Sequence, residues 1–313
     1  MMSEPSREDR GGIPEALAVW ALLAIVGIEI LVTYSRIPVR ELYHVRSGGP
    51  GAGASRLLAF VGFPVGPIAL AIVGVVVDRV PRRSILTGSA AGALVAAAVA
   101  WPGALDEAGL EAPVARAVAA VGVVTVLLLT LSAAHAARAA GGWSLRPRRT
   151  GDRLRLGLAL VFLVGALPWM AADLGLSLDR LPPLGWLFET DALARQPGVP
   201  GLHPAVHDGH HHGMDGALLV LAALILSRAL AAIRHRRFRL VIGAYLSFLF
   251  AYGAANAVQD FWLEQVVKRG WTDGVLPMML VPSMSGAWVA IVVAAAGGFG
   301  GVLAWKVRST VAI

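Results

Sequence analysis

Apolar residues fill eight stretches of the chain, and each stretch is about as long as a helix that crosses a bilayer. A transmembrane helix needs about 20 consecutive, mostly apolar residues. The apolar runs lie near residues 14–35, 57–77, 85–102, 115–137, 154–174, 214–233, 238–261 and 286–307. This pattern predicts an all-α fold, a polytopic helical membrane protein with about eight transmembrane helices in a single transmembrane domain, residues 1–313.

Basic residues between the runs indicate how the helices are oriented, because cytoplasmic loops carry an excess of arginine and lysine. Arginines concentrate in the connections after the second, fourth and sixth runs, and Lys306 and Arg308 follow the last run. With one exception, the alternate connections are poorer in base or richer in acid. Both termini are therefore predicted in the cytoplasm, and the connections 36–56 and 175–213 are predicted outside.

The exception is the connection 36–56, which carries Arg36, Arg40, Arg46 and Arg56 on the predicted outer side. Either the helix count is wrong by one, or these arginines bind something anionic. Because the other connections agree with each other, we favour the second reading. We expect an anionic lipid or a protein partner at this loop.

Composition narrows the classes of function. Hydrophobic residues make up 57% of the 313 residues and charged residues 15%, and the mean hydropathy is +0.68. The absence of cysteine excludes disulfides, thiolate nucleophiles and iron–sulfur clusters. Loop arginines explain the net charge of +7, so the expected partners are membrane lipids and no nucleic acid. Few lysines among many alanines and arginines are typical of a GC-rich genome, which favours the bacterial plasma membrane.

One segment stands out from this apolar background by its metal-ligand chemistry. The stretch HPAVHDGHHHGMDG, residues 203–216, leads from the second outer loop into the sixth run. Its candidate metal ligands are His203, His207, His210, His211 and His212. If the segment is helical from Pro204, then His203, His207 and His211 share one face with Asp215. A loop that presents the ligands is nearly as plausible, because Gly209 and Gly213 weaken a helix.

Imidazole ligands with a carboxylate favour a transition metal, and copper, zinc and iron all remain open as the cofactor. Polar residues in and beside the helices are expected to approach the same outer face, since charges inside membranes are costly and usually functional. In the seventh run Tyr252, Asn256, Asp260 and Glu264 are spaced by four. The candidate catalytic residues are Asp215, Asp260 and Glu29. Further candidate site residues are Tyr34, Arg36, His44, Asp173 and Asn256.

The favoured hypothesis from sequence is an integral membrane metalloprotein whose His/Asp site opens to the extracytoplasmic face. If it is an enzyme, a metal-dependent hydrolase or oxygenase acting on a lipid-like substrate fits the residue types. The alternatives are a metal or proton-coupled transporter and a non-catalytic subunit of a larger membrane complex. The pattern does not decide between them, and it leaves enzymatic activity uncertain.

Overall fold

The computed structural model describes residues 12–36, 49–77, 82–101, 113–139, 151–173, 193–195, 202–204, 211–267 and 269–311. Its helices are α1 (Ile13–Arg36), α2 (Pro50–Phe60), α3 (Gly66–Val76), α4 (Arg82–Val99), α5 (Pro113–Ala139), α6 (Asp152–Asp173), α7 (His211–Ser227), α8 (Arg236–Trp262) and α9 (Gly286–Val311). All eight predicted runs lie on these helices, so the all-α fold class is confirmed.

Short non-α segments join or extend three of the helices. The π-helical segment Val61–Val65 joins α2 to α3, and Leu263–Val267 extends α8. A 3-10 turn, Arg228–Ala232, extends α7. The connection 36–56 is shorter than predicted, because α2 already begins at Pro50 and includes Arg56.

Among the described residues, five segments are long and apolar enough to cross a membrane. They are Ile13–Arg36, Pro50–Val76, Val114–Ala139, Gly213–Ala232 and Arg236–Val267. Two shorter apolar helices, Ser84–Val99 and Gly286–Gly301, accompany them. A multi-pass helical membrane protein follows from this, whereas the count of eight crossings and the cytoplasmic placement of both termini stay predictions.

The outer surface of the helices is apolar where lipid would cover it. Ile25 of α1 is 63% exposed, Leu128 of α5 60% and Val293 of α9 63%. Large exposed apolar surfaces are unusual on soluble monomers. The buried core lies between α1, α3, α7 and α8, so the bundle is apolar both inside and outside, as expected in a bilayer.

Helices α7 and α8 pack with their backbones almost in contact. A Cβ atom on Gly216 would lie 2.6 Å from the carbonyl oxygen of Gly253 and 2.7 Å from the backbone nitrogen of Ala257. Small residues permit such close approach, which is a common basis of helix association in membranes. The crossing holds Asp215, the neighbour of Gly216, beside the polar stripe of α8.

The second candidate span is broken near its centre. Phe63 has extended backbone angles, φ −150° and ψ 126°, inside the π-helical segment. Pro64 and Pro67 lack the N–H groups that a continuous helix would use, so they interrupt its hydrogen-bond ladder. Non-helical backbone at membrane depth is tolerated only where protein buries it or water reaches it. The break at Phe63 must therefore be buried by protein or reached by water.

The described residues of the connection before α7 form a short strand pair. Strands β1 (Leu193–Arg195) and β2 (Leu202–Pro204) are antiparallel, with Ala194 paired to His203. The condition that the segment is helical from Pro204 is not met, because Pro204 lies in β2. The spacing of four between His203, His207 and His211 does not place these residues on one helical face.

Candidate functional site

The metal hypothesis is wrong for the part of the chain that the structure describes. Within those residues no group of three or more His, Cys, Asp or Glu side chains is arranged to hold a metal ion. The physical reason lies in the local backbone: His203 is in β2, whereas His211 and His212 open α7. The metalloprotein function and the metal-dependent hydrolase or oxygenase activity are therefore withdrawn, and no metal enters the function proposed below.

Several predicted site residues lie where the structure does not describe a side chain. His44, His207 and His210 fall outside the described residues. For His203, His211, His212 and Asp173 the structure describes only the backbone, in β2, at the start of α7 and at the end of α6. Their roles as site residues stay predictions.

The predicted polar residues of α1 belong to contacts within α1 and with α2. Glu29 is half-buried and accepts a hydrogen bond from the Thr33 hydroxyl at 3.3 Å. Tyr34 is buried, and the Arg56 guanidinium lies 5.6 Å from the centre of its ring. Arg36 is exposed at the end of the helix.

The polar stripe of α8 is buried along its whole length. Tyr252 is 4% exposed, Asn256 1%, Asp260 1% and Glu264, in the π-helical extension, 0%. Four polar side chains in a row on the buried face of an apolar helix are costly unless they have a function or a full set of partners. The sequence spacing predicts this stripe, and the structure buries all four of its side chains.

Tyr252 lies at the centre of this buried region. Asp215 of α7 is 7% exposed and adjoins Gly216, which lies against Gly253 of α8. The Asn256 side chain, one turn after Tyr252, donates to the Tyr252 backbone carbonyl at 2.9 Å. The phenol hydroxyl donates a hydrogen bond to the Leu280 carbonyl at 2.6 Å. Acid, amide and phenol thus come together from α7 and α8, and Trp288 of α9 lies beside the phenol. We call these four residues the Tyr252 site (Asp215, Tyr252, Asn256 and Trp288).

Aromatic rings surround the phenol. Phe248 stacks on Tyr252 at 5.9 Å between ring centres with an interplanar angle of 4°. Trp288 of α9 lies 5.3 Å away, and Phe63 meets the Tyr252 ring edge-on at 6.0 Å. Because Phe63 is the residue at which the second span breaks, the helix break also faces the Tyr252 site.

A second non-helical segment reaches the same depth. We call residues 271–285, between α8 and α9, the return segment. The Trp262 indole N–H donates to the Gly274 carbonyl at 2.7 Å, and six residues later Leu280 accepts from Tyr252. Trp262 and Tyr252 are about 15 Å apart along α8, and six extended residues span about 20 Å. The return segment therefore runs back along α8 towards the middle of the candidate span.

The start of the return segment is held by a cation. Arg269 donates to the Gln265 side-chain oxygen at 3.2 Å, and its guanidinium lies 5.6 Å from the centre of the Trp271 ring. Partial burial lowers the pKa of Arg269 from its usual value, but arginine stays charged at any physiological pH. This anchor fixes where the segment leaves the end of α8.

Two buried polar atoms of the Tyr252 site have no hydrogen-bond partner among the described residues. They are the Asn256 side-chain oxygen, an acceptor, and the Trp288 indole nitrogen, a donor. The Asn256 side-chain nitrogen is occupied, since it donates to the Tyr252 backbone carbonyl at 2.9 Å. Buried polar groups are normally paired, so these two atoms are candidate contacts for a further molecule.

Sequence reasoning missed one residue of the site, Trp288, and two of its neighbours, Phe63 and the return segment. A signal for the first was present, because Pro64 and Pro67 interrupt an otherwise apolar run. The return segment also carries a signal, since apolar residues with two prolines are unusual in an exposed loop. Trp288 resembled an ordinary residue of the last helix.

Comparison with protein-family models, with curated proteins and with solved structures finds no match to this chain.

Proposed function

We propose that this multi-pass membrane protein is a binding protein for an organic ammonium ion, and that the ammonium group binds at the Tyr252 site. The observation that carries the proposal is the meeting of two non-helical segments, the break at Phe63 and the return segment, on one buried tyrosine. Interrupted helices near the middle of a membrane commonly form ligand sites, because they free backbone and side-chain groups to contact a ligand.

The charge of the region favours a cation. The carboxylates of Asp215 and Asp260 lie on facing helices, and both are buried. The unpaired oxygen of Asn256 can only accept a hydrogen bond. A ligand that complements acceptors of this kind must bring N–H or O–H donors, and a positive charge strengthens each hydrogen bond to a carboxylate.

The aromatic rings favour an ammonium ion that carries apolar groups. Cations are attracted to the faces of tyrosine and tryptophan within about 6 Å of the ring centre. Tyr252 and Trp288 supply two such rings beside the acid and the amide. The surrounding residues Phe63 and Phe248 are apolar, so an alkyl substituent on the nitrogen would be buried among them.

A buried water molecule is the simpler occupant, because water can pair with both the Asn256 oxygen and the Trp288 N–H, whereas an ammonium group pairs only with the oxygen. The two occupants differ in their dependence on charge. If water fills the site, added amines do not change the stability of the folded protein. If an ammonium ion binds there, the stability rises with the occupancy of the site.

The test is thermal unfolding of the purified protein in detergent with n-hexylammonium, and with 1-hexanol as the uncharged probe of equal chain length. At about 100 times its dissociation constant a ligand stabilises the folded state by about 2.7 kcal/mol. We expect a rise in the unfolding midpoint with the amine and no comparable rise with the alcohol.

Two variants locate the effect. Asp215→Asn removes the charge and keeps the shape, so it should abolish the response to the amine. Asp152→Asn, an equally conservative change at the start of α6, should leave the response intact, because Asp152 pairs with Arg228 beyond the opposite end of α7. Equal stabilisation by alcohol and amine, or a full amine response in Asp215→Asn, would overturn the proposal.

The bacterial plasma membrane is part of this proposal, and so is a site in the outer half of the bilayer. The arginine-rich composition supports the first, and the arginine distribution between helices supports the second.

A further inference from the structure

The connection between α7 and α8 is a tight turn with a fixed backbone. Ile233 is 1% exposed, and its N–H donates to the Leu230 carbonyl at 3.2 Å. On the other side of the turn the Arg239 N–H donates to the His235 carbonyl at 2.9 Å. We call residues 233–237 the basic turn; its side chains from Arg234 to Arg237 are exposed.

The first turn of α6 brings further arginines to the basic turn. The Arg155 guanidinium donates to the Ser227 hydroxyl at 2.8 Å, which fixes α6 against the end of α7. Asp152 pairs with Arg155 at 3.0 Å and with Arg228 at 3.5 Å. Residues 151–158 and 225–239 together contain this one acid and the arginines 153, 155, 228, 234, 236, 237 and 239.

The exposed arginines stand directly beside exposed apolar side chains. Val241, one helical turn after Arg237 on α8, is 63% exposed. Leu156, three residues after Arg153 on α6, is 62% exposed. Residues three or four apart share a helical face. Each face therefore presents a cationic group next to a lipid-facing apolar surface.

We propose that the basic turn binds the phosphodiester headgroup of an anionic phospholipid. Guanidinium groups form paired hydrogen bonds with phosphate oxygens. The acyl chains of the same lipid would pack against Val241 and Leu156, whereas a soluble phosphate ion would make no contact with these side chains. Membrane orientation requires positive charge in this loop, but it does not require exposed arginines in register with exposed apolar residues.

The test is native mass spectrometry of the detergent-purified protein titrated with phosphatidylglycerol, and separately with phosphatidylcholine. The double variant Arg236→Gln, Arg237→Gln is compared with Arg138→Gln, Arg308→Gln, which removes the same charge from α5 and α9. Each arginine near an anionic lipid surface contributes about a fivefold gain in affinity. We expect about a 25-fold loss of phosphatidylglycerol affinity in the first variant and little loss in the second.

Two results would overturn the assignment. Equal losses in both double variants would show that total charge, not this turn, holds the lipid. Displacement of the lipid by millimolar inorganic phosphate would show a phosphate site that does not use the acyl chains. An unaltered unfolding midpoint in each double variant serves as the folding control.

Discussion

The two ends of the α7–α8 pair are built from opposite chemistry. At one end Asp215 of α7 and Asn256 and Asp260 of α8 are buried. At the other end Arg234, Arg236 and Arg237 are exposed in a turn. Charge on a membrane helix end that faces water costs little, whereas polar groups buried in the span must be compensated. The buried end is therefore where function is expected, and the exposed end is where the membrane surface is expected.

The largest expected effect comes from the crossing that brings the buried groups together. In Gly216→Val the added side chain meets the Gly253 carbonyl and the Ala257 backbone, so the helices must separate. Overpacking of this kind costs about 3 kcal/mol of unfolding free energy. The check is the thermal unfolding midpoint in detergent, which should fall by many degrees.

Gly157→Ala on α6 is the matched control, because a Cβ there meets nothing within 4 Å. Alanine at this position should leave the midpoint unchanged or raise it slightly. Equal midpoints for both variants would mean that α7 and α8 do not pack through Gly216.

A smaller loss of unfolding free energy is expected when the hydrogen bond between Tyr252 and the return segment is removed. Tyr252→Phe removes the hydroxyl that donates to the Leu280 carbonyl. A carbonyl left without a donor in an apolar environment costs about 2 kcal/mol. Hydrogen exchange of residues 275–285 should become faster, while exchange in the basic turn should stay as in the wild type. Unchanged exchange in the return segment would contradict its attachment at Tyr252.

A gain in stability is expected from a change in the same site. Asn256→Leu keeps a similar volume and removes the acceptor that lacks a partner among the described residues. The Tyr252 carbonyl keeps its helical hydrogen bond, so the net gain should be about 1 kcal/mol. The variant should be more stable and should no longer respond to n-hexylammonium. A site residue that is held for binding at the expense of stability behaves in this way; a purely structural asparagine would destabilise the protein when replaced.

The smallest effect is expected at the basic end. Arg155→Gln removes an ion pair with Asp152 and a hydrogen bond to Ser227, both of them partly exposed to solvent. Such pairs contribute about 0.5 kcal/mol. The unfolding midpoint should fall by a degree or two and become less sensitive to salt. A loss as large as that of Gly216→Val would mean that both ends are equally important for stability.

Hydrophobic periodicity predicted the helices and the buried stripe, because both follow from spacing within one segment. Asn256 and Asp260 were recognisable as polar residues on one helical face for this reason, whereas the burial of Asp260 comes from the structure. The pairing of Tyr252 with Leu280 and Phe63 was not recognisable, since it joins residues that are far apart in the chain. The histidines were misleading, because their spacing has meaning only in a helix and His203 lies in a strand.

The occupant of the Tyr252 site can be observed directly, because Asn256 is the only asparagine in the sequence. Protein labelled with ¹³C-asparagine, reconstituted in lipid and saturated with ¹⁵N-hexylammonium, allows the distance from the Asn256 amide carbon to the ligand nitrogen to be measured by solid-state NMR. A hydrogen bond to the amide oxygen predicts about 4 Å between these two atoms. Absence of any carbon–nitrogen coupling at saturating amine would contradict the proposed ammonium site.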